Sequence, residues 1–181
     1  MSVHLRPVVA ALGVLIAAFF IAACGAGERQ DKNEAKGNWN VRVVDASFPG
    51  RQRLADEVEL RITVKNEDNR AIPNLAVTVD GFNRREESDL SDPNRPIWVI
   101  EKEPSNAHTA ATNTWAVGAV PAGETRTLLW KVAAVKAGTY QLRWSVAAGL
   151  NGKAKALEDG QPSRGSFIAR VSEQPHPVKI D

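Results

Sequence analysis

From Trp39 to Ser172 the apolar positions recur mostly at every second residue, in short segments separated by turn residues. That period predicts half-buried strands, and no apolar stripe of helical spacing and comparable length competes with it. The clearest segment is 57–65, where Val58, Leu60, Ile62 and Val64 share one side and Glu57, Glu59, Arg61, Thr63 and Lys65 share the other. One face is expected to be core and the other wet. Leu75, Val77 and Val79 repeat the rule. The turn-rich link Asn66-Glu67-Asp68-Asn69 through Pro73-Asn74 makes these two segments expected antiparallel or Greek-key neighbours. Leu128, Trp130 and Val132 alternate after Pro121-Ala122-Gly123, and Tyr140, Leu142, Trp144 and Val146 after Ala137-Gly138. Phe167, Ala169 and Val171 close the series. Segment 39–48 breaks step: Trp39, Val41 and Val43 fall on one side, then Val44, Ala46 and Phe48 on the other. Such a parity switch predicts a bulge or a strand that changes sheets. With 97–100 and a weaker run over 115–120, the count reaches about seven to nine strands.

The start of the chain follows a different plan. A short segment with basic Arg6 precedes an uncharged apolar run from Val8 to Ala23, and Cys24-Gly25 follow, which is the layout of a secretory signal. The sixteen apolar residues would reach only about 24 Å as a helix, against roughly 30 Å of hydrocarbon core, so a permanent span is the weaker reading. The end of the run, Ile21-Ala22-Ala23-Cys24-Gly25, resembles the lipobox of bacterial lipoproteins, and the chain's only Cys stands at its key position. The resemblance implies cleavage before Cys24, a diacylglyceryl group on its thiol and acylation of the new amine. The other reading of the same residues is a signal peptide cut elsewhere, with Cys24 incidental. One acyl chain holds a protein only marginally, whereas two or three hold it stably.

Residues 25–37 are polar and contain no large apolar side chain. Burial cannot offset their ordering entropy, so they are expected to form a flexible tether spanning about 20 Å. The resulting plan is a signal peptide over 1–23, a lipidated N-terminus and linker over 24–37, one β-domain over 38–172 and a tail over 173–181.

An all-β domain with this strand count fits an immunoglobulin-like β-sandwich. Tyr140 follows a Gly turn and lies two residues before an inward Leu, where such a sandwich places its tyrosine corner; a plain core Tyr is the alternative. Four stretches carry a more particular likeness: Trp39-Asn40-Val41-Arg42-Val43, the strand from Val58 to Val64 with Lys65-Asn66, Val120-Pro121-Ala122-Gly123-Glu124-Thr125, and Ala137-Gly138-Thr139-Tyr140-Gln141-Leu142. Together they resemble bacterial extracytoplasmic domains of the cell-adhesion-related CARDB type. The likeness implies a fold and a role in contact, and supplies no shared catalytic residue. The segment from Asp80 to Ile97 departs from a compact member and leaves the strand order open.

Composition narrows the chemistry. The formal net charge is +2, and removal of residues 1–23 takes away Arg6 and leaves +1, which predicts neither a nucleic-acid partner nor a basic patch for anionic lipid. A single Cys excludes an internal disulfide and a Cys-built metal site. Beyond the signal segment the only His residues are His108, in the polar run 104–109, and His176, between Pro175 and Pro177; both read as exposed, and no hydrolytic constellation is legible. No catalytic residue, cofactor or resident metal is therefore expected. The loop 81–96 holds Arg84, Arg85, Glu86, Glu87, Asp89, Asp92 and Asn94, whose oxygens suit either calcium or a solvated, self-paired surface; it lacks the acid and Gly spacing of an EF-hand loop.

Five Trp offer either core or a stacking surface. Trp39, Trp98, Trp130 and Trp144 lie in alternating segments and read as core, while Trp115 follows the irregular stretch 101–113. The candidate binding residues are Trp115 and Trp98 together with Asp89 and Asp92, because loops on a rigid β-scaffold commonly carry recognition. The expected function is a membrane-anchored, non-enzymatic binding or adhesion module of the cell envelope, offered to a protein or glycan. The alternative is an accessory subunit of an envelope complex that docks through a sheet edge or face.

Overall fold

A computed structural model describes residues 34–83 and 96–174. Within them lie thirteen strands and no helix long and apolar enough to cross a membrane. The strands are β1 (Gly37–Ser47), β2 (Arg51–Arg53), β3 (Glu57–Asn66), β4 (Ala76–Asp80), β5 (Phe82–Asn83), β6 (Trp98–Lys102), β7 (His108–Ala111), β8 (Thr114–Ala116), β9 (Thr125–Ala134), β10 (Gly138–Ala147), β11 (Ala154–Glu158), β12 (Gln161–Pro162) and β13 (Arg164–Ser172). The chain is thus all-β in its described part. The count exceeds the expected seven to nine because β2, β5, β8 and β12 are only two or three residues long and carry too few positions to show a period.

The strands form one continuous hydrogen-bonded path that divides at β1. Gly37 to Asn40 run parallel to β11, whereas Val41 to Ser47 run antiparallel to β3. The register slips between Val43 and Asp45, so the parity switch in the sequence marks both a bulge and a change of partner. Where β1 leaves β11, the Glu158 side chain keeps contact by accepting a hydrogen bond from the Val43 amide at 3.0 Å. The bulge leaves Val44 49% exposed.

One set of strands follows the order β5-β6-β9-β3-β1, and the other joins β1 to β11, β10, β4, β8 and β7, with β13 on β10 and β2 on β13. β3 and β4 therefore do not pair, contrary to the expectation from their linking turn residues. The link crosses between the sets instead, and buried Asn66 holds the crossing by donating to the carbonyls of Arg70, Val120 and Pro121. A second crossing joins β9 to β10. Here Gly138 takes φ +144°, and the Tyr140 hydroxyl donates to the Ala137 carbonyl at 2.5 Å. This is the hydrogen bond of a tyrosine corner.

Both sets turn their apolar positions to one core, which takes Leu60, Ile62 and Val64 from β3, Val77 and Val79 from β4, Leu128, Trp130 and Val132 from β9, and Leu142 and Val146 from β10. Fully burying each such aliphatic side chain contributes about 1.5–3 kcal/mol, and this repeated burial drives the fold.

The ordered body begins earlier than residue 38. Gly37 already pairs with Lys153, and the Glu34 carboxylate accepts from the amides of Leu150, Asn151 and Ala154 at 2.6, 3.0 and 3.1 Å. The last residues of the expected linker are thus pinned to the β10–β11 loop. A charge-assisted cluster of three amides outweighs the polar, entropy-rich character on which the linker reading rested.

Candidate functional site

The clefts and exposed faces of the described residues differ in how their charges are satisfied. The outward face of β3 and β9 is self-paired. Lys131 Nζ lies 3.4 Å from Glu57, and Lys65 Nζ 3.8 Å from Glu67, which also holds Arg42 at 2.8 Å. The hydrogen bond to Glu67, and then its charge, raise the Arg42 pKa further above its ordinary value. The cleft beside this face, about 400 Å³ between Glu59, Lys102 and Lys131, is likewise mixed in sign.

The outward face of β2, β13 and β10 is different. On β13 the exposed positions are Arg164, Ser166, Ile168, Arg170 and Ser172, alternating with inward Phe167, Ala169 and Val171. The ladder register places Thr139, Gln141, Arg143 and Ser145 of β10 beside Arg170, Ile168, Ser166 and Arg164. On the other side Arg51 stands beside Arg170, and Arg53 beside Ser172. Paired residues of a ladder project to the same side, so five arginines share this face.

Among the described residues none of the five lies within ion-pair distance of a carboxylate. Acids border it at Asp80, the register partner of Arg143 on β4, and at Asp56, which shares a cleft with Arg51, Arg53 and Arg170. Arg143 donates to Gln141 at 2.9 Å, and Gln141 in turn to Ser166 at 3.1 Å, so part of the face is pre-ordered by neutral hydrogen bonds.

Two shallow clefts open on it, one of about 510 Å³ with Arg143, Arg164 and Asp80, the other of about 540 Å³ with Arg51, Arg53, Arg170 and Asp56, so arginine outnumbers acid in both. In their middle Ile168 is 69% exposed. A basic face thus exists even though the net charge predicts none. Summed charge hides it because most of the chain's acids lie outside these two clefts.

Of the binding residues expected from the sequence, Trp98 and Trp115 fall among the described residues. Trp98 and Trp115 are 0% and 2% exposed, so neither offers its ring to a surface ligand. Trp98 instead donates to the buried Gln52 side chain at 2.7 Å, and Trp115 packs edge-on against Trp130 with centroids 5.3 Å apart. Trp115 was set apart because the residues before it lack a strand period, yet β8 is short enough to be core without showing one. Asp89, Asp92 and Cys24 lie outside the described residues, as do His176 and most of the 81–96 loop. His108 is exposed on β7. Among the described residues no group of three or more His, Cys, Asp or Glu is placed to hold a metal ion.

No family model matches the chain, and no curated protein does. Among solved structures it is similar to the CARDB domain of a Pyrococcus furiosus protein, solved in complex with di-metal ions, at 14% identity and TM-score 0.43, covering 76% of this chain and 93% of that one. It is also similar to a native alpha-2-macroglobulin from Escherichia coli spanning domain MG7 to the C-terminus, at 15% identity and TM-score 0.46, covering 75% of this chain and 17% of that one. A third similarity is to a chain in the complex of zinc 2-glycoprotein and prolactin inducible protein from human seminal plasma, at 13% identity, TM-score 0.40, covering 79% and 99%. At these values the likeness is one of general strand arrangement, and nothing about family or function is drawn from it.

Proposed function

We propose that this chain is a lipid-anchored, extracytoplasmic module that works by contact, its two strand sets forming the layers of an immunoglobulin-like β-sandwich. The observation that carries the reading is the face of β2, β13 and β10, where five arginines stand without a carboxylate partner among the described residues. Arginine forks without a carboxylate partner on a rigid sheet suit recognition of anions and have no means of moving a proton near neutral pH. The lipobox-like segment at Cys24 supports membrane anchoring.

The face is a better docking element than the sheet edges. β7 is four residues long with a register slip between Thr109 and Ala111, and β5, at the other end of the path, is two residues long. Short, bulged edges resist strand addition. The alternative raised by the sequence, an accessory subunit of an envelope complex docking through a sheet edge or face, has no comparable observation behind an edge, and through a face it would use these same arginines.

Cell fractionation of the full chain and its Cys24→Ser variant tests the anchoring. The expected result is wild-type protein in the membrane fraction and variant protein released or left as uncut precursor. Unchanged processing and retention of the variant would discard the anchor.

A further inference from the structure

We infer that the arginine face is a docking surface for an anionic phospholipid bilayer, with Ile168 as the residue that enters the headgroup layer. The inference deepens the anchored reading and rests on it for bringing the body to a membrane. From Arg164 to Arg170 the face runs about 20 Å along β13, and from β2 to β10 about 10 Å across. Ile168 stands within this patch, with Gln141 as its ladder partner and Arg170 as the next outward residue on its own strand. It is more exposed, at 69%, than Val44 at 49% or Leu129 at 37%. An apolar side chain flanked by Arg170 on its own strand, inside a patch that also holds Arg143 and Arg164, matches the layering of a bilayer surface, where phosphates lie above the first methylenes.

Other polyanions fit less well. A nucleic acid or a sulfated glycan could meet the guanidinium groups but would leave Ile168 in water, and single-stranded nucleic acid needs aromatic platforms. All five Trp are buried, so this face has no Trp platform to offer. Each arginine held near an anionic surface contributes about fivefold in partitioning.

The test uses the full chain with vesicles of phosphatidylcholine alone or with phosphatidylglycerol added. An environment-sensitive fluorophore is placed at Ile168→Cys or, on the bulge of β1, at Val44→Cys; the parental chain, whose single Cys24 carries the lipid in the anchored reading, serves as labelling blank. The label at 168 is expected to shift to the blue and to be quenched by brominated lipid in anionic vesicles only, while the label at 44 stays in water. Adding Arg143→Gln, Arg164→Gln and Arg170→Gln together should lower the insertion equilibrium of the face about a hundredfold and return the label to water while the anchor keeps the chain on the vesicle. Ile168→Ser with the arginines intact should lower it about tenfold.

A label at 168 that reports water on anionic vesicles overturns the inference. So does capture of heparin or duplex DNA by the five arginines while position 168 stays wet, which would assign the face to a soluble polyanion. Anchoring is read separately, by sedimentation with vesicles lacking phosphatidylglycerol. A chain that stays in that pellet with position 168 wet on anionic vesicles keeps its anchor and loses the docking face.

Discussion

The indole of Trp98 and the carboxamide of Gln52 form a buried polar pair across the core: Nε1 donates to Oε1 at 2.7 Å, with the two residues 0% and 4% exposed. Gln52 also donates to the Pro49 carbonyl at 2.7 Å, so both ends of its amide are used. Because β2 pairs with β13 and β6 with β9, this bond ties the strand that carries Arg51 and Arg53 to the opposite set. The arginine face is therefore braced from below.

Gln52→Leu leaves the Trp98 N–H buried without an acceptor, and the expected cost is about 1–3 kcal/mol. Urea unfolding followed by Trp fluorescence measures it. A Gln52→Leu protein as stable as wild type would show that the pair does not brace β2.

Gly138 and Tyr140 make a similar interdependence at the β9–β10 crossing. A Cβ on Gly138 would sit 2.7 Å from the Tyr140 hydroxyl oxygen, and the φ of +144° strains any L side chain. Gly138→Ala is expected to destabilise by more than the roughly 1 kcal/mol of an ordinary Gly substitution, and Tyr140→Phe by about 1 kcal/mol through loss of the bond to Ala137. In the double variant the two costs should not add, because the ring can move once its hydroxyl is gone. Simple additivity in thermal unfolding would contradict this.

Glu34 closes the N-terminal side of the body. Glu34→Ala removes the acceptor for three amides, and Gly149→Ala should mimic it, since a Cβ there would stand 1.9 Å from Glu34 Oε1. Both variants are expected to speed amide exchange across 150–154, with a stability loss of about 1–3 kcal/mol. Unchanged exchange at Leu150, Asn151 and Ala154 would mean that the carboxylate does not hold the loop.

Much of the fold is legible in the residues, for a definite reason. Period-two alternation survives wherever one face is buried, so 57–65, 125–132 and 140–146 can be read as strands before any pairing is known, and the broken parity at Val43 and Val44 marks the change of partner in β1. Pairing is not written so locally. Nothing in the turn between β3 and β4 distinguishes a hairpin from a crossing; that is decided by Asn66, whose carbonyl partners at 120 and 121 lie far along the chain.

The arginine face escapes sequence reading for the same reason. Arg51, Arg143 and Arg170 belong to three strands and meet only through the registers of β13 with β2 and β10. The one local signal is the outward series Arg164, Ser166, Ile168, Arg170, Ser172, in which an apolar residue occupies a wet position.

The central claim, that this face is the surface at which the protein works, is tested most directly by arginine-specific footprinting of the full chain in its native membranes and after detergent extraction. Arg51, Arg53, Arg143, Arg164 and Arg170 are predicted to react more slowly in membranes and to recover in detergent, while Arg42, Arg61 and Arg126, paired with Glu67, Glu59 and Glu124, keep the same rate in both. Equal reactivity of the five in the two preparations would contradict the account.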